Sequence, residues 1–435
     1  MKITKLFTFL LPIAAMLATA ATASAQKIHT DPGYTITVLV ANKQDYNPQI
    51  VDENMQDGWG IALRPPGAGG HIWVSNAGTG TVSEYIGDLP GNPLHQDGLK
   101  LVVLDQPRWT DHGRAFITGQ VYNSASDLPG QPVEFPVAGP ALNRKESPPK
   151  EIKGGYSGSA KFVFVTEDGC INAWSSNTAV AMKSAPVIIN YSKTSKHYPY
   201  AANCVFTGVA LTNNPADSEA YKKAGGNHLF AADIRNNAIQ VFNNQWKDVT
   251  KSYHFETPDT IGELHPFNIA DLNGHLFVAY GEWDPNSDEG QEQIADPSAG
   301  HIVEYTEDGK LVKDFFAGHG VLNLPWGMVI APATFGKLAN DLLVANFGDG
   351  TISAFDLQSG DFVGYMRDRD TKIISIDGIW GLAFGNGVSL GEANGLYFTA
   401  GPNNEQDGEF GRLGGSYVSR PQNAVVLTPP QAAAH

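Results

Sequence analysis

The sequence predicts an all-β fold built from six copies of one antiparallel sheet, arranged as a closed ring. Two observations support this prediction. A short motif, in which an apolar run follows a glycine that is replaced once by Asn, returns six times along the chain, and further runs rich in Val, Ile, Phe and Tyr follow each copy. Turns containing Gly, Asp or Asn separate these runs, which is typical of consecutive strands joined by hairpins. Six such units describe a six-bladed β-propeller with four-stranded antiparallel blades.

The glycine of the motif defines the repeat. Its positions are separated by 59, 89, 60, 59 and 54 residues, and we call them the glycine slot. The slot contains Gly60, Gly119, Gly208, Asn268, Gly327 and Gly381. The inner strands of a propeller crowd around its axis, where a residue without a Cβ atom lets neighbouring backbones approach closely. The recurrent glycine therefore marks the inner strand of each blade.

The units can be followed in chain order. The runs after the first slot are "IWVSN" and "TVSEY", and the later second strands are "FVFVT", "LFAAD", "LFVAY", "LLVAN" and "LYFTA". The long spacing contains a Pro-rich and Gly-rich insertion at about 124–160, which predicts a flexible connection. The sixth unit is short of an outer strand. We expect the N-terminal segment 34–41, "YTITVLVA", to supply it and close the ring. The alternative donor is "AVVL", at 424–427.

The N-terminus predicts export. Residues 1–25 have the basic, apolar and small-residue order of a signal peptide, and no later apolar run has the length of a membrane span. We therefore expect one propeller domain over 26–415, with a tail at 416–435, in the periplasm or outside the cell. The formal net charge of -16 argues against nucleic acid as a partner. We expect a monomer.

Cys170 and Cys204 are the cysteines of this sequence, 34 residues apart. Export would bring them into a compartment that permits disulfides, so we predict that they pair. Two free, buried thiols are the alternative.

Several motifs carry a resemblance to known proteins. The segments "FVFVTEDGCINAW", "PWGMVIAP" with "DLLVANFGDGTISAFD", and "DGIWGLAFGNG" with "GLYFTAGPNNEQDGEFG" resemble a family of exported bacterial six-bladed propellers of unknown function, some of which carry a C-terminal sorting anchor. The blade pattern is similar to that of NHL and gluconolactonase-like propellers. The resemblance implies the fold and export, and it assigns no catalytic residue.

The alternative function follows from the same resemblance. A metal-dependent hydrolase or lactonase of the gluconolactonase-like type would need Asn and Asp ligands near the position before the slot. That position here holds Trp59, Thr118, Thr207, Phe267, Trp326 and Trp380. We therefore favour a binding module, with the hydrolase as the alternative.

The aromatic residues before the slot have two interpretations. Trp59, Phe267, Trp326 and Trp380 could fill wedges between adjacent blades, or they could form a stacking platform for a flat ligand. Together with Asn268 they are the candidate ligand-binding residues. We expect the ligand, a small molecule, a glycan or a protein partner, on the channel face that carries the long loops 281–300 and 401–411.

One of these loops has alternating oxygen ligands. Asp284, Asn286 and Asp288 could converge on a hard cation, so calcium is a candidate cofactor. The alternative is a solvated acidic loop.

Catalytic candidates near the inner-strand starts are few. They are Asp57, His265 and Asp377. Asp57 and Asp377 each precede a glycine, so a role in turn formation is the alternative for both.

Overall fold

The computed structural model describes the following residues: 33–65, 69–106, 113–128, 130–139, 142–143, 150–151, 156–176, 182–192, 203–287, 293–297, 299–317, 320–414 and 425–427. The predicted signal peptide lies outside them, as does most of the tail. Among the described residues, no helix is long and apolar enough to cross a membrane.

The fold is a six-bladed β-propeller, as predicted. The strands of blades 1, 2 and 3, from the axis outwards, are Gly58–Ala62, Ile72–Asn76, Thr81–Tyr85 and Leu101–Leu104; Ile117–Tyr122, Phe162–Thr166, Cys170–Trp174 and Val187–Asn190; and Phe206–Leu211, His228–Asp233 and Ala238–Asn243. Those of blades 4, 5 and 6 are His265–Leu272, His275–Trp283, Gly300–Thr306 and Leu311–Ala317; Pro325–Ile330, Leu342–Asn346, Ile352–Phe355 and Phe362–Tyr365; and Ile379–Phe384, Leu396–Ala400, Glu409–Leu413 and Ile36–Ala41.

Short elements decorate the blades. Ser184–Ala185 extends blade 1 as a parallel strand, and Gln293–Ile294 pairs with the second strand of blade 4. An α-helix spans Glu219–Ala224. The 3-10 helices of the described residues are Gln44–Tyr46, Ser124–Ser126, Thr250–Ser252, Asp259–Ile261 and Gly336–Leu338.

The N-terminal strand closes the ring, as predicted. Ile36–Ala41 pairs antiparallel with Glu409–Leu413 and is the outer strand of blade 6. The alternative donor has another place. Val425–Leu427 pairs in parallel with Ile50–Asp52, which itself pairs with Ile36–Ala41, so the same sheet extends to six strands.

A buried ion pair joins blades 6 and 1 where the ring closes, a boundary that we call the seam. Arg412 Nη1 lies 2.5 Å from Asp88 Oδ2, and the Tyr397 hydroxyl donates to the same oxygen at 2.5 Å. Both charged side chains are 1% exposed. Breaking such a pair leaves an uncompensated buried charge, so the seam depends on both partners.

The glycine slot has the predicted role. A Cβ atom on Gly60 would lie 2.6 Å from the Thr118 carbonyl oxygen, and one on Gly327 would lie 2.3 Å from that of Trp380. Each inner strand thus uses its slot to approach the next inner strand. Six apolar clusters then fill the spaces between consecutive blades around the ring, including the pair formed by blades 6 and 1.

The insertion of blade 2 has regular structure, contrary to the flexible connection that we predicted. Pro136–Gly139 pairs with Tyr156–Ser159 as an antiparallel ribbon. Glu134 is fully buried at its base and accepts hydrogen bonds from the Asn227 backbone at 3.0 Å and from the Asn244 side chain at 2.9 Å. These bonds dock the insertion on blade 3. The Pro and Gly residues of the sequence indicate the turns of this insertion, but they do not indicate the Glu134 contacts that attach it to blade 3.

Candidate functional site

Strand register assigns the two faces of the ring. The start of each inner strand pairs with the end of the second strand, as in Gly58 with Asn76 and His265 with Gly281. The turns after the second strands therefore lie beside the inner-strand starts. We call this side, which includes the loops 281–300 and 401–411, the loop face, and the side at which the inner strands end the exit face.

Aromatic rings from four blades meet on the axis at the loop face. We call Trp59, Phe267, Trp326, Phe347 and Trp380 the aromatic plug. Trp59 and Phe347 stack on Trp380, with ring centroids 3.9 and 3.8 Å away. Trp326 stands edge-on to Trp59 and Trp380, at 6.2 and 5.9 Å. The rings pack on one another at the axis instead of filling separate wedges between blades.

The plug is closed in this structure. Trp59, Trp326 and Trp380 are 4%, 5% and 0% exposed, because each ring face is covered by another ring or by neighbouring apolar side chains. Trp326 Nε1 donates to the Thr207 carbonyl at 2.8 Å, whereas Trp59 Nε1 is buried without a partner in the described part of the chain. The stacking platform remains a prediction, and a ligand on the loop face would have to separate rings that now contact each other.

A cavity of about 400 Å³ lies along the axis beyond the plug. All six inner strands line it, from the slot towards their ends, and Trp326 belongs to both the cavity wall and the plug. The cavity therefore occupies the channel on the exit-face side. This location was not predicted, because the long loops drew attention to the other face.

Two polar residues interrupt the otherwise apolar wall formed by the inner strands beyond the slot. The position after the slot holds Ile61, Gln120, Val209, Ile269, Met328 and Leu382, and the position two residues further holds Leu63, Tyr122, Leu211, Asp271, Ile330 and Phe384. Gln120 and Asp271 both line the cavity. The aligned repeats already show this difference, because Gln120 and Asp271 stand at positions where the other blades have apolar or aromatic residues.

The Gln120 amide is fixed in one orientation. Its Nε2 donates to the carbonyl oxygens of Gly60 and Trp73, both at 2.8 Å. Its Oε1 is buried and has no hydrogen-bond partner among the described residues. Since a buried acceptor without a partner is costly, this oxygen is a point at which a hydrogen-bond donor would be favoured.

Asp271 lies at the exit-face end of the cavity. Its Oδ1 accepts a hydrogen bond from the Gly274 backbone at 3.1 Å. Burial, together with the nearby Glu307 carboxylate, raises the pKa of Asp271 to about 7, although the Gly274 hydrogen bond and His275 oppose the shift. Asp271 can therefore exchange its proton near neutral pH.

Asp57 lies beneath the loop 401–408. Its backbone φ is +48°, and its Oδ1 accepts from Trp380 Nε1 at 3.2 Å. Burial raises the pKa of Asp57 well above its ordinary value, and Glu405 and Glu167 raise it further. Asp57 is thus both a turn residue, as its alternative role required, and a buried carboxyl group attached to the plug.

Asp377 borders the same loop and is exposed. Its Oδ2 accepts from the Asn403 backbone at 3.0 Å. Burial and the charge of Asp377 raise the pKa of Glu409 to about 7. Burial also opposes the charge on Asp407, but hydrogen bonds from Lys43, Asn42, Tyr46 and Asn403 lower its pKa to about 2. The sequence had marked this loop by its length and had not identified Glu409 or Asp407.

His265 and Asn268 both lie on the inner strand of blade 4, and Asn268 also lines the channel cavity. His265 Nδ1 is 2.5 Å from the Ile234 carbonyl, and its ring stacks on Trp283 at 5.2 Å. Asn268 Nδ2 donates to the Trp326 carbonyl at 2.6 Å, so the side chain joins the inner strands of blades 4 and 5. The structure brings Asp57 and Asp377 to one loop, whereas His265 belongs to blade 4.

The structure describes only part of the predicted calcium site. Asp284 Oδ1 accepts from the Asn286 backbone at 2.8 Å, and Asp288 lies outside the described residues. In the rest of the chain that the structure describes, no group of three His, Cys, Asp or Glu side chains is placed to hold a metal ion. The site at Asp284, Asn286 and Asp288 stays a prediction.

The structure does not contain the predicted disulfide. Cys170 and Cys204 are separate, buried thiols. The Cys170 thiol is 3.9 Å from Asn190 Oδ1, and Asn236 Nδ2 donates to Cys204 Sγ at 3.7 Å. Burial raises the pKa of both thiols, so neither is prone to ionise. Cys170 begins a strand of blade 2 and Cys204 precedes the inner strand of blade 3, and the alternative of two free, buried thiols is the one that the structure contains.

Comparison with known proteins places the chain among distant relatives. No family model matches it. An uncharacterised protein of Acanthamoeba polyphaga mimivirus is 26% identical over 384 residues, which cover 87% of this chain and 80% of the relative. A second uncharacterised mimivirus protein is 25% identical over 384 residues, covering 87% and 85%. These relatives are viral, whereas the motifs led us to expect exported bacterial relatives.

Solved structures match at low identity. The soluble aldose sugar dehydrogenase of Escherichia coli is 11% identical with a TM-score of 0.43, covering 88% of this chain and 99% of that chain. A gluconolactonase of Xanthomonas campestris is 12% identical with a TM-score of 0.32, covering 58% and 81%.

Proposed function

We propose that this protein is an exported binding module that holds a small molecule in its central channel, between the aromatic plug and the exit face. The observation that carries the proposal is the cavity of about 400 Å³ lined by all six inner strands. Ligand sites in proteins are typically about 300–1,000 Å³, largely apolar, and equipped with a few polar groups that orient the ligand.

The wall chemistry supports a ligand with an apolar body and at least one hydrogen-bond donor. The aliphatic columns of the inner strands would contact the body, while Gln120, whose amide two carbonyl groups hold in place, adds a polar side chain to the wall. Asp271 adds a carboxyl group at the exit-face end. The cavity wall contains no Lys, Arg or His in the described part of the chain, which disfavours an anionic ligand.

Export and the choice of a small molecule over a glycan or a protein are part of this proposal. Export rests on the order of residues in 1–25. The small molecule is favoured because the cavity is enclosed by inner strands, whereas a glycan or a protein partner would need an extended surface.

Filling the cavity tests the proposal. A library of neutral and cationic small molecules would be screened against residues 26–435 by tryptophan fluorescence, since Trp326 forms part of the wall. The substitution Ala383→Phe, on the inner strand of blade 6, should reduce the affinity of any channel ligand at least about tenfold by occupying its space.

The matched control is Ala333→Phe, which adds the same ring at an exposed alanine outside the cavity. It should leave binding unchanged. If a ligand binds equally well to both variants, its site is outside the channel and the proposal fails.

A further inference from the structure

A second pocket opens between blades 3 and 4, with a volume of about 480 Å³. Blade 3 contributes His228 and, after its third strand, Tyr253. Blade 4 contributes Glu307 and Asp308, which lie in the turn between its third and fourth strands. Lys223 of the short helix also lines the pocket. The pocket is separate from the channel cavity, since the two share no lining residue.

The carboxylates of this pocket differ in their partners. Asp308 lies 2.8 Å from Lys310 Nζ and 3.8 Å from Lys223 Nζ, so two ammonium groups compensate its charge. Glu307 accepts a hydrogen bond from the neutral Asn214 amide at 2.8 Å. No Lys, Arg or His of the described residues lies within ion-pair distance of Glu307.

Burial raises the pKa of Glu307, although Asn214 and His275 oppose the shift. A carboxylate that is partly removed from water and lacks a cationic partner is stabilised by any cation that enters. The structure therefore leaves a negative charge at the pocket wall without a compensating positive charge from the protein.

Aromatic rings form another part of the wall. Tyr253 lines the pocket and is held by rings on two sides, with centroid distances of 5.6 Å to His228 and 5.7 Å to Phe230. The Tyr253 ring is thus fixed in the same pocket as the Glu307 carboxylate. A cation is attracted to the face of an aromatic ring, and proteins recognise quaternary ammonium groups through such contacts.

We propose that the pocket between blades 3 and 4 binds an organic cation of the quaternary ammonium class, with Glu307 providing the opposite charge and Tyr253 an aromatic face. The neutral Asn214 amide holds Glu307 without cancelling its charge. Lys223 also lines the pocket, but its largely exposed side chain is paired with Asp308 and not with Glu307.

Choline and its uncharged carbon analogue, 3,3-dimethylbutan-1-ol, test this proposal by isothermal titration calorimetry on residues 26–435. The two molecules have nearly the same shape and differ in charge. Choline should bind, and the neutral analogue should bind at least about tenfold more weakly. Equal affinity for both molecules, or no binding of choline or tetramethylammonium up to about 10 mM, would overturn the assignment.

Variants then locate the site. Glu307→Gln keeps the shape and should weaken choline binding at least about tenfold. Glu219→Gln removes the same charge from the adjacent helix at a side chain that is 96% exposed and does not line the pocket, so it should have little effect. Tyr253→Phe should retain binding and Tyr253→Leu should weaken it. Equal effects of Glu307→Gln and Glu219→Gln would attribute binding to net charge and sink the proposal.

Discussion

At the scale of single residues, the molecule places a few carboxyl groups where water is scarce. Asp57 is 7% exposed, and Trp380 of the aromatic plug donates to it. Its φ of +48° is a conformation that Asn and Asp tolerate better than other residues with a side chain. The position therefore combines a backbone requirement with an electrostatic cost that only the protonated form avoids.

The substitution Asp57→Asn should stabilise the protein at pH 8. The folded state holds the Asp57 proton more tightly than the unfolded state, so ionisation at high pH favours unfolding. Asn keeps the turn conformation and the acceptor for Trp380 but cannot ionise. We expect a gain in stability at pH 8, seen as a rise in Tm relative to the wild-type chain.

The gain should disappear as pH falls below the ordinary aspartate pKa of 3.8, because both states of the wild-type chain are then protonated. Thermal melts of both proteins between pH 3 and 8 measure this dependence. Asp370→Asn, at an exposed carboxylate, is the control and should leave Tm nearly unchanged. A variant that is destabilised at pH 8 would show that the charged form is the one that the fold requires.

At the scale of the strand, packing around the axis decides what each inner strand may carry. The slots of blades 1, 5 and 6 lie against the carbonyl group that precedes the slot of the next blade, whereas those of blades 2 and 3 lie against the next slot residue itself or the residue after it. Asn268 is accommodated because its neighbour across the interface, Gly208, has no Cβ atom. A polar side chain thus fits where two slots share their space.

Gly327→Ala tests this packing. A Cβ atom there would lie 2.3 Å from the Trp380 carbonyl oxygen, so one of the two inner strands must shift. We expect destabilisation of about 2–3 kcal/mol from overpacking, measured by urea denaturation.

Gly91→Ala separates steric contact from backbone conformation. Gly91 has a φ of +77°, and nothing lies within 4 Å of its added Cβ, so this variant carries only the conformational cost of about 1 kcal/mol. If Gly327→Ala cost no more than Gly91→Ala, close approach at the slot would not explain the recurrent glycine.

The inner strands also show which parts of the structure the sequence predicts and which it does not. The slot glycines predict the blades because axial crowding acts in the same way on every copy. The aromatic plug is different, since the convergence of Trp59, Trp326 and Trp380 depends on ring directions that the repeat does not encode. Gln120 and Asp271 were visible as exceptions in apolar columns, but the cavity that gives them meaning is a three-dimensional property.

At the scale of the whole molecule, the ring is held by interfaces between blades and by the N-terminal strand, which completes blade 6 at the seam. Leu39 and Val40 of the N-terminal strand are fully buried in the cluster that joins blades 6 and 1. Asp88 and Arg412 cross the same seam. The N-terminal strand was predictable because blade 6 lacked an outer strand, whereas the ion pair was not, because its partners are 324 residues apart.

Removing the N-terminal strand should open the ring. A variant that begins at residue 43 lacks Ile36–Ala41, which leaves Glu409–Leu413 with an unpaired edge and exposes part of the seam cluster. Loss of Leu39 and Val40 burial alone removes about 3–6 kcal/mol. A variant that begins at residue 33 retains the strand and is the control.

Circular dichroism melts of the two variants should show a sharp transition for the longer one and a broad or much lower transition for the shorter one. Equal melting behaviour would mean that blade 6 is stable with three strands and that closure contributes little to the ring.

The pairing of the N-terminal strand with blade 6 also sets the order in which this chain can fold. Ile36 pairs with Leu413, so 377 residues separate the two sides of the closing interface. Ile50–Asp52 can pair with one edge of the N-terminal strand early, but the edge that pairs with Glu409–Leu413 must remain open until the last blade has left the ribosome, or has crossed the membrane if the protein is exported. Contacts between such distant segments slow folding, because the loop between them must be ordered first. The closure that removes sheet edges from the finished ring thus gives the growing chain an early strand that can join its blade only at the end of synthesis.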